Sequence, residues 1–94
     1  MNQNNKHVLI TGTVAFDDIE TPNGSSGKII GGAGTYIALA ASIFSKRISL
    51  ISVIGDDFLE EDIEMLQSKN INTKMIERIP GEKSFYWKGR YHSN

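Results

Sequence analysis

Cysteine is absent from the 94 residues, which excludes both a disulfide framework and a thiolate metal site. Net charge is nearly absent as well. Ten Lys and Arg against eleven Asp and Glu leave a formal −1, no electrostatic footprint for nucleic acid or an anionic membrane. No stretch approaches the roughly 20 apolar residues needed to cross a bilayer. The opening MNQNNKHVLITG has one lysine and too short an apolar run for a secretory signal. The sequence therefore predicts a cytoplasmic protein without a nucleic-acid or membrane partner. Asn23-Gly24-Ser25 has the form of a glycosylation acceptor, but without a secretion signal it reads as a plain turn. Histidine is scarce: His7 and His92 lie at the two ends without spaced partners, so no metal ligand is assigned.

What is present is material for a core. Hydrophobic residues make up 39% and charged residues 22%, a balance that excludes wholesale disorder, and the length admits one domain at most. Val8 to Gly12 (VLITG) is a short apolar run closed by glycine, the pattern of a strand covered on both faces in a parallel sheet. Ile48 to Ile54 (ISLISVI), closed by Gly55, is a second. Between them Ala33 to Phe44 (AGTYIALAASIF) is apolar on more than one side, which predicts a buried helix. Strand, helix, strand makes a βαβ unit, expected to be right-handed.

A surface helix should follow. Asp57 has the chemistry of an N-cap, Glu60 completes a capping-box pattern, and Glu60, Glu61 and Asp62 suit the positive end of the helix dipole. Leu59, Ile63 and Leu66 form its apolar stripe, and Lys69-Asn70 is its stop. From Thr73 the pattern becomes alternating. Lys74–Ile79, a Pro80-Gly81 turn and Ser84–Tyr91 predict a hairpin, with Phe85, Trp87 and Tyr91 read first as filling the core of a small sheet, ahead of covering a ligand or stacking at a dimer interface. The Asn23-Gly24 turn signal within Asp18–Ile30 can supply strands to that same sheet.

The strongest local signal is Gly31-Gly32-Ala33-Gly34 at the start of the first helix. Glycines there let a ligand approach backbone amides at a helix N-terminus, and a tight turn with close helix packing would use the same residues. Asp17 lies just past the first strand, where open α/β sheets collect ligands, and a carboxylate there can accept from sugar hydroxyls. Taken alone it reads first as a turn-capping or solvated aspartate. Phosphate-loop patterns fail. A dinucleotide fingerprint starting at Gly32 would need glycine at Ile37, and a P-loop ending in Gly27-Lys28 would need glycine at Pro22 and Ser or Thr at Ile29.

Together these features resemble the first part of the ribokinase-like (PfkB) carbohydrate kinases. TGTVAFD is similar to the family's first strand, with Gly12 followed five positions later by the sugar-binding aspartate, here Asp17. GGAGTYIALAASIFSKRISLISVIG resembles the N-terminal signature, with Gly31, Gly32, Gly34, Ala38, Ser45 and Gly55 in register, and Gly55 to Phe58 resembles the G-x-D start of the next helix. Two positions depart: Tyr36 stands where the signature has a sugar-contacting asparagine, and Glu60 where many members have glycine. Tyrosine is bulkier and donates through a single hydroxyl.

The resemblance implies a partial ribokinase-like, Rossmann-like βαβ layer at about 7–17 and 31–72, with a β-sheet lid at about 18–30 and 73–92, all within one domain portion spanning 1–94. It implies substrate contacts from Asp17, Gly31, Gly32, Gly34 and Tyr36 to a sugar or nucleoside, closure by a Gly31-Gly32 hinge, and a homodimer through the lid. ATP and Mg²⁺ belong to the full-length enzyme. The G-A-G-D motif that carries the catalytic base and the anion hole has no match here. No catalytic residue is therefore assigned, no bound cofactor is expected, and the chain alone is expected to be inactive. A non-catalytic module that dimerises or binds ligand through the lid is the competing expectation.

Overall fold

Residues 6–92, those described by the computed structural model, run through β1 (Val8–Thr11), β2 (Ala15–Thr21), β3 (Gly24–Gly31), α1 (Ala33–Ala41), β4 (Ile48–Gly55), α2 (Glu60–Ser68), β5 (Ile71–Asn72), β6 (Ile76–Ile79) and β7 (Phe85–Arg90). They form two sheets. In the first, β4 is central, with β1 on one side and β5 and then β6 on the other, all parallel. In the second, β2 is central, antiparallel to β3 and parallel to β7.

The two glycine-closed apolar runs are the core pair of the parallel sheet, with Val8 beside Ile48 and Ile10 beside Leu50. Their shared face buries Ile10, Ile48, Leu50 and Ile54 under Ala38 of α1 and Leu66 of α2. Both helices therefore cover one face. The opposite face is left open, and Leu9 is 61% and Val53 41% exposed. The shortest dimension of the molecule, 19 Å, is that of one sheet carrying one helical layer.

Lack of a second layer also corrects the reading of α1. It ends at Ala41, three residues short of the expected Phe44, where i→i+3 bonds from Ile43 and Phe44 tighten the last turn. Only Gly34, Thr35 and Ala38 are buried, whereas Ile43 and Phe44 are each 78% exposed. The helix is apolar all round, but the sheet covers it on one side only.

The expected hairpin over 74–91 does not form. β6 adds to the parallel sheet, with Ile76 beside Ser52 and Ile79 beside Gly55, while β7 crosses to the other sheet and lies beside β2. The Pro80-Gly81 turn therefore connects two sheets and does not fold two strands back on each other. Alternation fixes which faces a strand presents but not which edge it joins.

The capping box is corrected too. Leu59 is the N-cap of α2, with no side-chain cap bond. Asp57 instead accepts the Ser84 amide at 2.7 Å, and Glu60 is drawn to Arg78 at 2.9 Å. Arg78 Nη1 also donates to the carbonyls of Gly55, Asp56 and Phe58, so a guanidinium organises the loop that leads into α2. The stop at Lys69-Asn70 is as read: Lys69 is the C-cap and Asn70 takes a left-handed φ of 64°.

The second sheet grows from the Asn23-Gly24 turn, with Pro22 and Asn23 closing the β2–β3 hairpin between Thr21 and Gly24. Its base joins the main core through Phe16, whose ring stacks on Phe58 at 5.1 Å. Above that base the sheet is a single layer. The expected aromatic core is absent, and Phe85, Trp87 and Tyr91 are all more than half or half exposed. No helix among the described residues is long and apolar enough to cross a membrane.

Candidate ligand site at the carboxyl ends of the parallel strands

The chain leaves β1 through Gly12 and Thr13 and returns to the same point at the start of α1. Gly34 packs against this exit so closely that a Cβ on it would lie 2.7 Å from the Gly12 carbonyl carbon, and its amide donates to the Thr13 carbonyl at 2.9 Å. Only glycine permits this approach of helix to strand end. Gly32, the N-cap of α1, has a φ of 92°, in the region that favours glycine.

Asp17 lies in β2 and belongs to the second sheet, not to the end of the β1 segment. Its carboxylate occupies the space a Cβ on Gly31 would need, and Oδ2 accepts the Tyr36 hydroxyl at 3.0 Å. That hydrogen bond, then partial burial, then the neighbouring negative charge push the Tyr36 phenol above its ordinary value. Asp17, Gly31 and Tyr36 thus meet at one corner, with Gly32 and Gly34 just behind it in the backbone of α1. Asp17 Oδ1 has no protein donor among the described residues, which leaves it available to accept from a ligand hydroxyl.

Beside this corner lies a cleft of ≈460 Å³ lined by Thr11, Gly12 and Thr13, by Ile51, Ser52 and Val53 of β4, by Met75 and Glu77, and by Phe85. It opens where the parallel strands end, the usual ligand position in such sheets. None of the five residues expected from sequence lines it directly. Phe85 links the two features, because it walls the cleft and sits in register with Ala15, two residues before Asp17. The hydroxyls of Thr11, Thr13 and Ser52 and the carboxylate of Glu77 were missed from sequence. The signal for Thr11 was its place at the end of an apolar run and for Ser52 its polarity within one, and Glu77 was hidden by the assignment of its strand to the wrong sheet.

Across the second sheet the two faces differ in chemistry. One carries Asp17, Ile19, Ile29, Phe85 and Trp87 and faces the corner and the cleft. The other carries a polar lattice: Asp18 accepts from Ser25 and from the Tyr86 hydroxyl, Arg90 pairs with Glu20 at 2.8 Å, and Lys28 Nζ lies over the Phe16 and Tyr86 rings. No cluster of three or more His, Asp or Glu among the described residues could hold a metal ion. The sequence has no glycine-lysine phosphate loop either, and no residue of this chain is assigned to a magnesium–nucleotide complex.

No protein-family model matches the chain. Among curated proteins it is similar to the cytidine kinase of Thermococcus kodakarensis, 26% identical over 87 residues, which is 93% of this chain and 31% of the relative. Among solved structures it is similar to the ribokinase of Cryptococcus neoformans var. grubii serotype A in complex with ADP, with a TM-score of 0.69 and 26% identity over 93% of this chain and 30% of that one. The PfkB protein from Polaromonas sp. JS666 shares the fold at a TM-score of 0.74 and 14% identity, over 94% of this chain and 32% of its own. The chain spans less than a third of the length of each of these proteins.

Proposed function

We propose that this chain, which has the fold of the N-terminal portion of the ribokinase-like (PfkB) kinases, is the substrate-holding part of an ATP-dependent kinase acting on a hydroxyl of a sugar or nucleoside. The observation that carries the reading is the corner where the Asp17 carboxylate, braced by the Tyr36 hydroxyl, lies against Gly31 at the start of α1. A carboxylate with one oxygen fixed and the other open is suited to orienting a vicinal diol. The second sheet acts as a lid over that diol, pivoting at Gly31-Gly32 to exclude water. The names of the relatives, a cytidine kinase and a ribokinase, support a polyol phosphate acceptor. Phosphoryl transfer also needs a nucleotide, a metal and a base held in line. This chain does not present that set, so it binds substrate without turning it over.

The test is calorimetric titration of the chain with ribose, fructose, cytidine and adenosine, alongside Asp17→Asn. Saturable binding that Asp17→Asn weakens at least about tenfold is expected, the scale of one lost charge-assisted hydrogen bond. Binding indifferent to Asp17 would remove the proposed role.

The outer edges of β3 and β7, unpaired among the described residues, favour a second reading, a dimer formed through the lid. Sedimentation separates the two, since the substrate reading requires no association.

A further inference from the structure

We infer that the ligand face of the small sheet is built for a polyol joined to a planar ring, a nucleoside in preference to a free sugar, with Trp87 as the stacking platform. The inference deepens the kinase reading and rests on it. Asp17 and Trp87 are direct neighbours across the β2–β7 pairing and share one face of the sheet. Adjacent strands are about 4.8 Å apart, so a pentose whose diol sits on Asp17 carries its anomeric substituent over the next strand, onto Trp87.

The indole is already laid down for this. A Cβ on Gly89 would collide with ring atoms Cη2, Cζ2 and Cζ3 of Trp87, so the ring lies along its own strand over the one residue that leaves room for it. Gly89 is in register with Ile19, and Ile29 is in register with Asp17 on the same face. One side of the ring therefore rests on the sheet while the side chain stays 50% exposed.

This surface divides by chemistry. Asp17 and the Tyr36 hydroxyl form a polar end, and Ile19 and Trp87, whose ring lies over Gly89 beside Ile19, form an end with almost no hydrogen-bonding capacity. A free sugar, with hydroxyls around its whole ring, would have to strip water from groups that find no partner at the apolar end. A nucleoside has the same division, a diol at one end and a flat π-face at the other. Stacking on an aromatic side chain is tolerant of which base is offered, so Trp87 selects for a base without naming it.

Trp87 is the only tryptophan of the sequence, so its emission reports this contact alone. In the intact chain, cytidine and adenosine should quench that emission saturably, and ribose should not. By calorimetry, Trp87→Ala should lower the ratio of nucleoside to ribose affinity about tenfold or more, the scale of one lost base–aromatic stack, and Trp87→Phe should restore most of it. Gly89→Ala, which displaces the indole without removing it, should lower the same ratio. If ribose binds as tightly as cytidine and neither the Trp87 nor the Gly89 variants alter the ratio, the inference fails, while the kinase reading survives provided Asp17→Asn still weakens ribose binding about tenfold or more. If neither class binds, both fall. Emission that shifts with protein concentration in the absence of ligand would put a second copy on this face and overturn the inference.

Discussion

The amide of Ser84 donates to Asp57 Oδ1 at 2.7 Å, joining the residue before β7 to the loop that leaves β4. The Ser84 hydroxyl completes the tie by accepting the Gly55 amide at 2.9 Å. The small sheet is thereby fastened to the parallel one at the residues that resembled a helix start.

This tie should make the attachment sensitive to acid. The Ser84 amide, helped by the Lys28 charge, holds the Asp57 carboxyl below the usual carboxylate range. A lowered folded-state pKa means stability that is present above the unfolded value, near about 4, and lost as pH falls through the folded one. Asp57→Asn keeps an acceptor but not the charge, so its urea midpoint should fall less between pH 5 and 2 (about the window of carboxylate titration) than that of the parent. Parallel acid limbs would refute the assignment.

Arg78 should matter through carbonyls more than through its ion pair. Its partner Glu60 is 76% exposed, and such pairs contribute about 0–1 kcal/mol. Of the three carbonyl bonds, those to Gly55 and Phe58 are partly buried, and all three would lose their donor together. Arg78→Ala is expected to cost about 2–3 kcal/mol and Glu60→Ala less than about 1 kcal/mol, read from denaturant melts. Arg78→Lys should recover only part, because an ammonium lacks the planar fork. Equal effects of the alanine variants at 60 and 78 would show the ion pair to be what counts.

The corner at Asp17 has a spectroscopic signature. Its hydrogen bond raises the Tyr36 phenol, so the neutral tyrosine favours the fold below its unfolded value and that contribution is lost as pH rises through the folded one. Asp17→Ala should therefore move one tyrosine's ionisation, followed by tyrosinate absorbance, to lower pH. An unchanged titration would separate the two side chains.

Thr35 is fully buried in α1, and its hydroxyl oxygen has no hydrogen-bond partner among the described residues. Thr35→Val removes an unpaired polar atom at nearly constant volume and should be neutral or stabilising by up to about 1 kcal/mol. A loss above that would reveal a hydrogen bond to this hydroxyl.

The open side of the parallel sheet and the bare flank of α1 predict strong fluorescence enhancement of a hydrophobic dye at neutral pH, from Leu9, Val53, Ile43 and Phe44. A monomer that melts cooperatively and leaves the dye dark would contradict this.

Local signals in the sequence carried much of this architecture. Apolar runs closed by glycine marked β1 and β4, Asn23-Gly24 marked the β2–β3 turn, and Lys69-Asn70 marked the end of α2, because each is decided within a few residues. What failed was long-range choice. The strand at 76–79 reads as half of a hairpin, and only its contacts with β4 reveal that it belongs to the parallel sheet. Asp57 has the chemistry of a cap, and only the approach of Ser84, 27 positions on, shows where its oxygen goes. The corner was legible as Asp17 plus a glycine cluster. The neighbouring cleft was not, since its lining comes from four separate segments.

The small sheet closes with partners far apart along the chain: Tyr86 reaches Asp18 across 68 positions, and Arg90 reaches Glu20 across 70. During synthesis, β2 and β3 therefore emerge early and wait as an isolated ribbon, a form that is marginal in water. The chain must be made as far as Arg90 before the third strand can dock, which leaves the ribbon exposed to proteases or stray strand partners while translation proceeds.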